Sequence, residues 1–499
     1  MKTFFNGILA PLALLAVGCE TELPLTDPYE LVSQPGVVVI DNAVWMTSEA
    51  GGGLVKVMPG TSSGEAYTDL EGSSAAFVPL GETLVNLKAA PDLAHIAVIV
   101  RAWNGDQQLA MVDPAACDPS TDPAPCVSLL PSRPQHDGLI ISPDSRWALT
   151  WITGQGLDQS DVVNLSEVAI YNLESGEDPR FATLGFAPST FKFSQDGDRV
   201  VVLTDGQVVV MDLTTGVTHS RELTLSSETQ VRPQFLGLTG DDHFALITLS
   251  DSADLYTIDL TQDSLPINIL NLARPCTAFA TTNDGAASIY MSDTQDAFDV
   301  LDHQTMSLRH VELDHFASKI YVPQVGNYVL LYDTWYGQPY LHRYDLARQK
   351  LQTWLLDGPI SGVDVSPDGG TAVLYYEPYS TGSWWTVGIL GLATNERQAT
   401  PIQMGAEPRG VTFLHQEGGE DQAIFSLNGD GGRLAVVGLS SYSAWGVDIP
   451  FNAGAIYQLP SDGRLVVVHN SPAGFLTVAP ATDPSAVQFY SGFMKTGMF

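Results

Sequence analysis

The sequence predicts an all-β fold, a β-propeller made of four-stranded blades. A two-strand unit repeats about ten times, two further strands follow each unit, and helical periodicity is almost absent after residue 18. The clearest unit is SGVDVSPDGGTAVLYYEP over residues 361–378. Val363 and Val365 alternate with polar residues, as in a half-buried strand. A Ser-Pro-Asp-Gly-Gly turn follows, and the β-branched and aromatic run from Thr371 to Tyr376 predicts the returning strand.

The same turn recurs along the chain at a nearly constant interval. Its copies lie near residues 41, 91, 143, 195, 240, 283, 323, 367, 416 and 460, spaced by 40 to 52 residues. Two more strand-like runs follow each copy, for example WTVGILGL and QATPIQMG after residue 376. Four short strands in about 45 residues, with Gly, Pro, Asn and Asp at the joints, are typical of a propeller blade.

Continuous apolar runs such as VVVL and AVIV indicate strands that are buried on both faces, as they are in stacked blades. We therefore expect residues 35–499 to form one ring of eight to ten blades. A pair of smaller propellers is the alternative, but no linker separates two halves. An outer-membrane barrel is a weaker alternative, because its strands would need about ten residues each.

The N-terminus predicts export. Residues 1–18 carry one positive charge at Lys2 and an apolar stretch from Ile8 to Val17, which is typical of a secretory signal and too short to span a membrane. Residues 19–34 are polar and contain proline, and we expect them to form a tether of at most about 50 Å.

The segment LAVGC, Leu15 to Cys19, resembles a bacterial lipobox. The resemblance implies that Cys19 is acylated, becomes the first residue of the mature protein and attaches it to the membrane through lipid only. Glu20 at the next position implies the outer membrane of a Gram-negative bacterium. An ordinary signal peptide with an incidental cysteine is the alternative.

The other three cysteines fit an oxidising compartment. Cys117 and Cys126 bracket the polar loop CDPSTDPAPC, and a local disulfide is expected between them. Zinc is disfavoured because four ligands are not available nearby. Cys276 precedes an inner strand and is expected to be a buried structural thiol rather than a nucleophile.

The S-x-D-G turn followed by an apolar strand and VVVMDLTTG is similar to the WD40-like repeat of TolB-type propellers. The best copies are at Phe193–Gly216 and Ser366–Leu392, and weaker ones extend over about residues 35 to 493. The Trp-Asp dipeptide of true WD40 blades is missing. This resemblance implies a propeller fold but no particular activity.

Linear catalytic motifs are almost absent. GTSSG at residues 60–64 matches G-x-S-x-G, but it lies in a Gly/Ser loop without the strand-turn-helix setting of a nucleophile elbow. Only propeller strands follow it, so a peptidase of the prolyl type, a propeller fused to a hydrolase domain, is not expected. His310 and His315 are the closest histidines and flank an outer strand, so neither is expected to bind metal. NGDGG at residues 428–432 lacks the distal Glu of a calcium loop. The sequence predicts no cofactor, metal or catalytic residue.

Large aromatic residues occur in three loops between second and third strands. In a propeller these loops share one face, and rings beside Asp, Asn and Gln suit recognition of a sugar or peptide. The candidates are Trp103, Trp335, Tyr336, Tyr340, Tyr379, Trp384 and Trp385. The alternative is packing between blades, because Trp384 and Trp385 are adjacent and face opposite ways in a strand.

Composition and charge restrict the function. The formal net charge of −35, from 57 acidic and 22 basic residues, argues against nucleic acid as a partner because there is no basic patch. The sequence favours a non-catalytic, lipid-anchored binding module for a protein or glycan of the cell envelope. The alternative is a propeller enzyme of the lactonase-like or quinone-dependent kind, whose site comes from several blades and leaves no linear motif.

Overall fold

The protein is a β-propeller of ten four-stranded antiparallel blades in one ring. The structure, a computed structural model, describes residues 36–48, 52–59, 68–69, 75–102, 104–117, 126–154, 164–223, 232–294, 296–378, 385–392, 398–415, 419–428, 432–460, 462–469 and 474–491. Within these ranges no α-helix forms. The prediction of a single ring is confirmed, and its blade number lies at the upper end of the expected range.

The strands of the first five blades follow one another in chain order. They are Val37–Ile40 (β1), Ala43–Ser48 (β2), Gly53–Val57 (β3) and Ala75–Pro79 (β5) in blade 1, with the short Thr68–Asp69 (β4) between the last two; Thr83–Ala89 (β6), Ile96–Arg101 (β7), Gln107–Val112 (β8) and Val127–Pro131 (β9) in blade 2; Gly138–Ile141 (β10), Trp147–Trp151 (β11), Glu167–Asn172 (β12) and Arg180–Thr183 (β13) in blade 3; Pro188–Phe193 (β14), Arg199–Thr204 (β15), Gln207–Asp212 (β16) and Thr218–Glu222 (β17) in blade 4; and Pro233–Leu238 (β18), Phe244–Leu249 (β19), Asp254–Asp259 (β20) and Ile267–Asn271 (β21) in blade 5.

The other five blades repeat this order. Their strands are Ala278–Thr281 (β22), Ala287–Met291 (β23), Ala297–Asp302 (β24) and Ser307–Glu312 (β25) in blade 6; Lys319–Tyr321 (β26), Tyr328–Tyr332 (β27), Tyr340–Asp345 (β28) and Lys350–Leu355 (β29) in blade 7; Ile360–Val365 (β30), Thr371–Tyr376 (β31), Thr386–Gly391 (β32) and Thr400–Gln403 (β33) in blade 8; Glu407–Leu414 (β34), Gln422–Asn428 (β35), Arg433–Gly438 (β36) and Ala444–Asp448 (β37) in blade 9; and Ala453–Gln458 (β38), Leu465–His469 (β39), Phe475–Ala479 (β40) and Gln488–Ser491 (β41) in blade 10.

The first strand of each blade is the innermost, since the first strands of successive blades, such as β6 and β10 or β18 and β22, contact each other. The first and second strands of a blade, and its third and fourth strands, are therefore joined at one face of the ring, which we call the turn face. The loops between second and third strands and the connections from blade to blade lie on the opposite face, the loop face.

The core lies between the blades rather than within them. Val200 and Val202 of β15 pack into the cluster shared by blades 3 and 4, whereas Val201 and Leu203 pack into the cluster shared by blades 4 and 5. Alternate side chains of one strand thus enter two different joints, because both faces of the blade are covered. This confirms the interpretation of the continuous apolar runs.

The ring closes between blade 10 and blade 1. Val44, Met46, Val55 and Val57 of blade 1 pack against a set of blade 10 side chains that includes Val466. At the outer edge, β4 adds to the sheet of blade 10 as a parallel fifth strand beside β41. The sequence pattern did not predict this strand.

Candidate functional site

Four of the seven predicted aromatic residues lie within the described part of the chain. These are Trp335, Tyr336, Tyr340 and Trp385. Trp103, Tyr379 and Trp384 lie outside the described residues, as does Cys19. The structure brings Trp335, Tyr336 and Tyr340 together on the loop face of blade 7 and places Trp385 elsewhere.

The loop between β27 and β28 is organised by one buried carboxylate. Asp333 is 0% exposed and accepts hydrogen bonds from the backbone N–H groups of Trp335 (2.9 Å), Tyr336 (2.8 Å) and Gln338 (3.1 Å). It also accepts a bond of 3.0 Å from the Ser318 hydroxyl at the start of the blade. The short side chain of Asp suits this role, because it can bond the backbone two or three residues further on.

Gly337 allows the loop to turn back tightly. Its φ is +65°, in the left-handed region that favours glycine. A Cβ placed there would lie 3.6 Å from the ring of Pro359, in the connection to blade 8. The loop is therefore fixed by hydrogen bonds and by backbone conformation, and its aromatic side chains are carried on a well-defined backbone.

This loop exposes two large rings. The side chains of Trp335 and Tyr336 are 54% and 65% exposed. Tyr336 contacts the buried Phe316 edge to face, with 4.8 Å between the ring centroids. The ring of Tyr340 stacks on the ring of His315, with 3.5 Å between the centroids and 6° between the ring planes. We call His315, Trp335, Tyr336 and Tyr340 the blade 7 patch.

A buried histidine lies near the patch. His342 is 0% exposed, and its ring centroid lies 6.4 Å from that of His315. Burial, with a smaller repulsion from His315, lowers the pKa of His342 to about 4, so its imidazole is neutral at neutral pH. Its Nδ1 bonds the Thr353 hydroxyl at 2.9 Å. The sequence signalled neither this residue nor Asp333, although an Asp directly before an aromatic loop is a recognisable turn signal.

Trp385 belongs to the joint between blades 8 and 9. It packs at the edge of the cluster that contains Val387 and Phe425, and its φ is +57°. Packing between blades, the alternative for this pair of tryptophans, thus describes Trp385. It does not extend the blade 7 patch.

The predicted disulfide is present between Cys117 and Cys126, whose Cα atoms are 5.1 Å apart. Both cysteines are buried in the core between blades 1 and 2. The ammonium group of Lys56 in blade 1 donates to the carbonyl oxygens of Pro114 (3.0 Å) and Cys117 (2.8 Å), which ties the segment that ends at Cys117 to blade 1. Cys276 is reduced and buried between blades 5 and 6, and burial raises the pKa of its thiol to about 12.

His310 and His315, the two histidines closest to each other in the sequence, have different neighbours in the structure. His310 Nδ1 lies 3.0 Å from the carboxylate of Asp299, and His315 stacks on Tyr340. Across the described ranges, no group of three or more His, Cys, Asp or Glu side chains is arranged to hold a metal ion. Nor does any helix in those ranges have the length and apolar character needed to cross a bilayer.

The fold and the blade 7 patch define a ten-bladed β-propeller with exposed aromatic residues on one rim. No family model matches the chain, and no curated protein matches it. Among solved structures, the chain is similar to the dihydro-heme d1 dehydrogenase NirN in complex with DHE, with 16% identity over 73% of this chain and 74% of that chain and a TM-score of 0.43.

Two further structures are similar at the same low level of identity. A eukaryotic initiation factor shows 13% identity over 91% of this chain and 98% of that chain, with a TM-score of 0.48. Hydrazine synthase of Kuenenia stuttgartiensis shows 13% identity over 62% of this chain and 96% of that chain, with a TM-score of 0.34. Similarity of this degree transfers no activity.

Proposed function

We propose that the protein is a non-catalytic binding module of the bacterial cell envelope. In this proposal, acylated Cys19 holds it at the outer membrane through residues 19–34, and the blade 7 patch recognises an envelope protein or glycan. The lipobox-like segment supports the location at the outer membrane, and the exposed rings of Trp335 and Tyr336 support the binding role.

The arrangement of the blade 7 patch carries the proposal. Exposed aromatic surface is costly for solubility, and contiguous apolar patches on a soluble surface usually mark interaction sites. The fully buried carboxylate of Asp333 accepts three backbone hydrogen bonds and so holds the backbone that carries Trp335 and Tyr336. A loop that is ordered before binding loses less conformational entropy when a ligand arrives.

The binding role is tested by replacing the two exposed rings. Trp335→Ala with Tyr336→Ala should leave the melting temperature nearly unchanged and weaken binding to the captured envelope component by more than about 2 kcal/mol, as hot-spot truncations do. The bait is the acylated chain in detergent-solubilised envelope. Glycosidase and protease treatment of that envelope distinguish a glycan from a protein partner.

Trp445→Ala is the matched control. Trp445 is 38% exposed on the outermost strand of blade 9, away from the patch. Its removal should leave capture intact. A large loss of stability with unchanged capture in the Trp335 and Tyr336 variant would show that these rings are structural, and the binding proposal would be wrong.

The address is tested separately. Cys19→Ala should abolish labelling by a fatty acid analogue and release the propeller into the soluble fraction. Retention in the membrane after a carbonate wash would contradict the lipid anchor and leave the test of the blade 7 patch unaffected.

A further inference from the structure

At several joints of the turn face, the turns of neighbouring blades contact each other. From blade 4 to blade 6 and from blade 7 to blade 8, a group in or beside one turn bonds the next turn directly. These bonds are Gln195 N–H to Asp242 Oδ2 (2.6 Å), Gly240 N–H to Gly285 O (2.9 Å) and Tyr328 O–H to Gly369 O (2.8 Å). At each of these three joints a direct hydrogen bond links the two blades at the turn face.

The joint between blades 8 and 9 has an open cavity at the corresponding place. Its volume is about 320 Å³, at the lower end of the range for small-molecule pockets. The turn of blade 8, at Ser366, Pro367 and Asp368, forms one wall, and His415 and Asp421 of blade 9 form the other.

The inner surface of this cavity is apolar. Phe413 and Leu439 line it, and both also pack at the edge of the core cluster between blades 8 and 9. The cavity is thus the open end of that inter-blade core, and a ligand bound in it would contact apolar side chains.

The rim of the cavity is acidic. Asp368 accepts hydrogen bonds from the Ser366 hydroxyl (2.5 Å) and the Gly370 N–H (2.9 Å), and the Ser366 bond is the main cause that lowers the pKa of this carboxyl. Asp421 Oδ1 lies 2.8 Å from His415 Nδ1. Among the described residues that line the cavity there are two carboxylates and one imidazole, and neither a lysine nor an arginine.

We propose that this cavity binds a small organic cation with an apolar body, such as an arylalkyl amine. The body would fill the space beside Phe413 and Leu439, and the ammonium group would lie at the rim near Asp368 and Asp421. The charge of the whole chain, −35, favours approach of a cation and disfavours an anion of the same shape. This site is on the face opposite the blade 7 patch and does not depend on it.

The first test uses three probes of nearly equal shape on the unmodified chain. By isothermal titration calorimetry, 2-phenylethylammonium should bind one to one, 2-phenylethanol at least about tenfold more weakly, and 3-phenylpropionate not measurably. Equal binding of the anion, or no binding of the cation at about 10 mM, overturns the proposal.

The second test uses variants. Asp368→Asn with Asp421→Asn should weaken the cation at least about tenfold, and Leu439→Trp, which fills the cavity, should abolish its binding. Asp284→Asn is the matched control, because Asp284 makes the same bonds in the turn of blade 6 (2.7 Å from the Thr282 hydroxyl and 3.0 Å from the Ala286 N–H). Undiminished binding in the Leu439→Trp variant, or equal loss in the control, would contradict the site.

Discussion

Three buried histidines should make the propeller lose stability in mild acid. Each is at most 1% exposed and bonds a threonine hydroxyl. The pairs are His136–Thr150 (2.7 Å), His342–Thr353 (2.9 Å) and His469–Thr477 (2.6 Å). Burial is the first cause in every case, and it lowers each pKa from 6.5 to about 4.

The sign and size of the effect follow from proton binding. Between about pH 6.5 and pH 4 the unfolded chain binds protons that the folded chain does not, so the free energy of unfolding falls as the pH falls. For a pKa of about 4 against 6.5, the loss at about pH 5 is about 2 kcal/mol for each histidine and about 6 kcal/mol for the three. Carboxylates contribute mainly at lower pH, because their unfolded pKa values are about 4.

Urea unfolding followed by far-UV circular dichroism measures this loss. Between about pH 7.5 and pH 5, His342→Gln should reduce the pH-dependent loss by at most about one third. It removes one of the three histidines whose pKa falls to about 4, and His303, whose pKa burial also lowers, adds to the remainder. His243→Gln is the control, since the His243 side chain is 57% exposed. Equal unfolding free energies at the two pH values, or a full loss in the His342 variant, would refute the reasoning.

Three further predictions test other parts of the structure. Asp333→Ala removes the acceptor of three backbone N–H groups, so it should lower the free energy of unfolding, measured with urea, by about 3 kcal/mol. The same variant should also lose capture by the blade 7 patch. Unchanged capture would show that binding does not need the hydrogen bonds of Asp333. Replacing Cys117 and Cys126 by Ser should cost about 2.5 kcal/mol in the chain-entropy model, and peptide mapping of the unreduced parent should show only this disulfide. Gly240→Ala places a Cβ 2.7 Å from the facing carbonyl oxygen of blade 6 and should cost about 1–3 kcal/mol in thermal unfolding, whereas Gly410→Ala, with open space around its Cβ, should be nearly neutral; equal melting temperatures would contradict the close contact.

The repeat pattern was sufficient to predict the blades because each strand position is set by local chemistry. Alternating valines, a turn with Asp and Gly, and apolar runs recur wherever a blade must be covered on both faces. The short β4 carries no such pattern. It pairs with β41 from more than four hundred positions away along the chain, and a pairing of two residues is decided by proximity after the ring has closed.

The candidate site was predictable only in part, because local sequence does not decide which segments meet in space. Exposure of Trp335 and Tyr336 follows from their place in a polar, glycine-containing loop. The position of Trp385 could not be decided from its neighbours, because adjacent residues at the start of a strand face opposite sides. The cavity between blades 8 and 9 depends on how two turns meet in space, and nothing in either turn alone indicates it.

Closure of the ring has a consequence for the order of folding. The Arg464 guanidinium donates to the carbonyl oxygen of Pro59, across a separation of 405 residues. Forming a loop that long costs about 2 kcal/mol more entropy than joining two successive blades, since the penalty grows with the logarithm of length. Nearest-neighbour blades can therefore assemble in sequence as an open solenoid, and we expect the joint between blades 10 and 1 to form last. Before closure, the apolar faces with which blades 10 and 1 contact each other are uncovered. The chain is therefore most prone to associate with other chains during this interval.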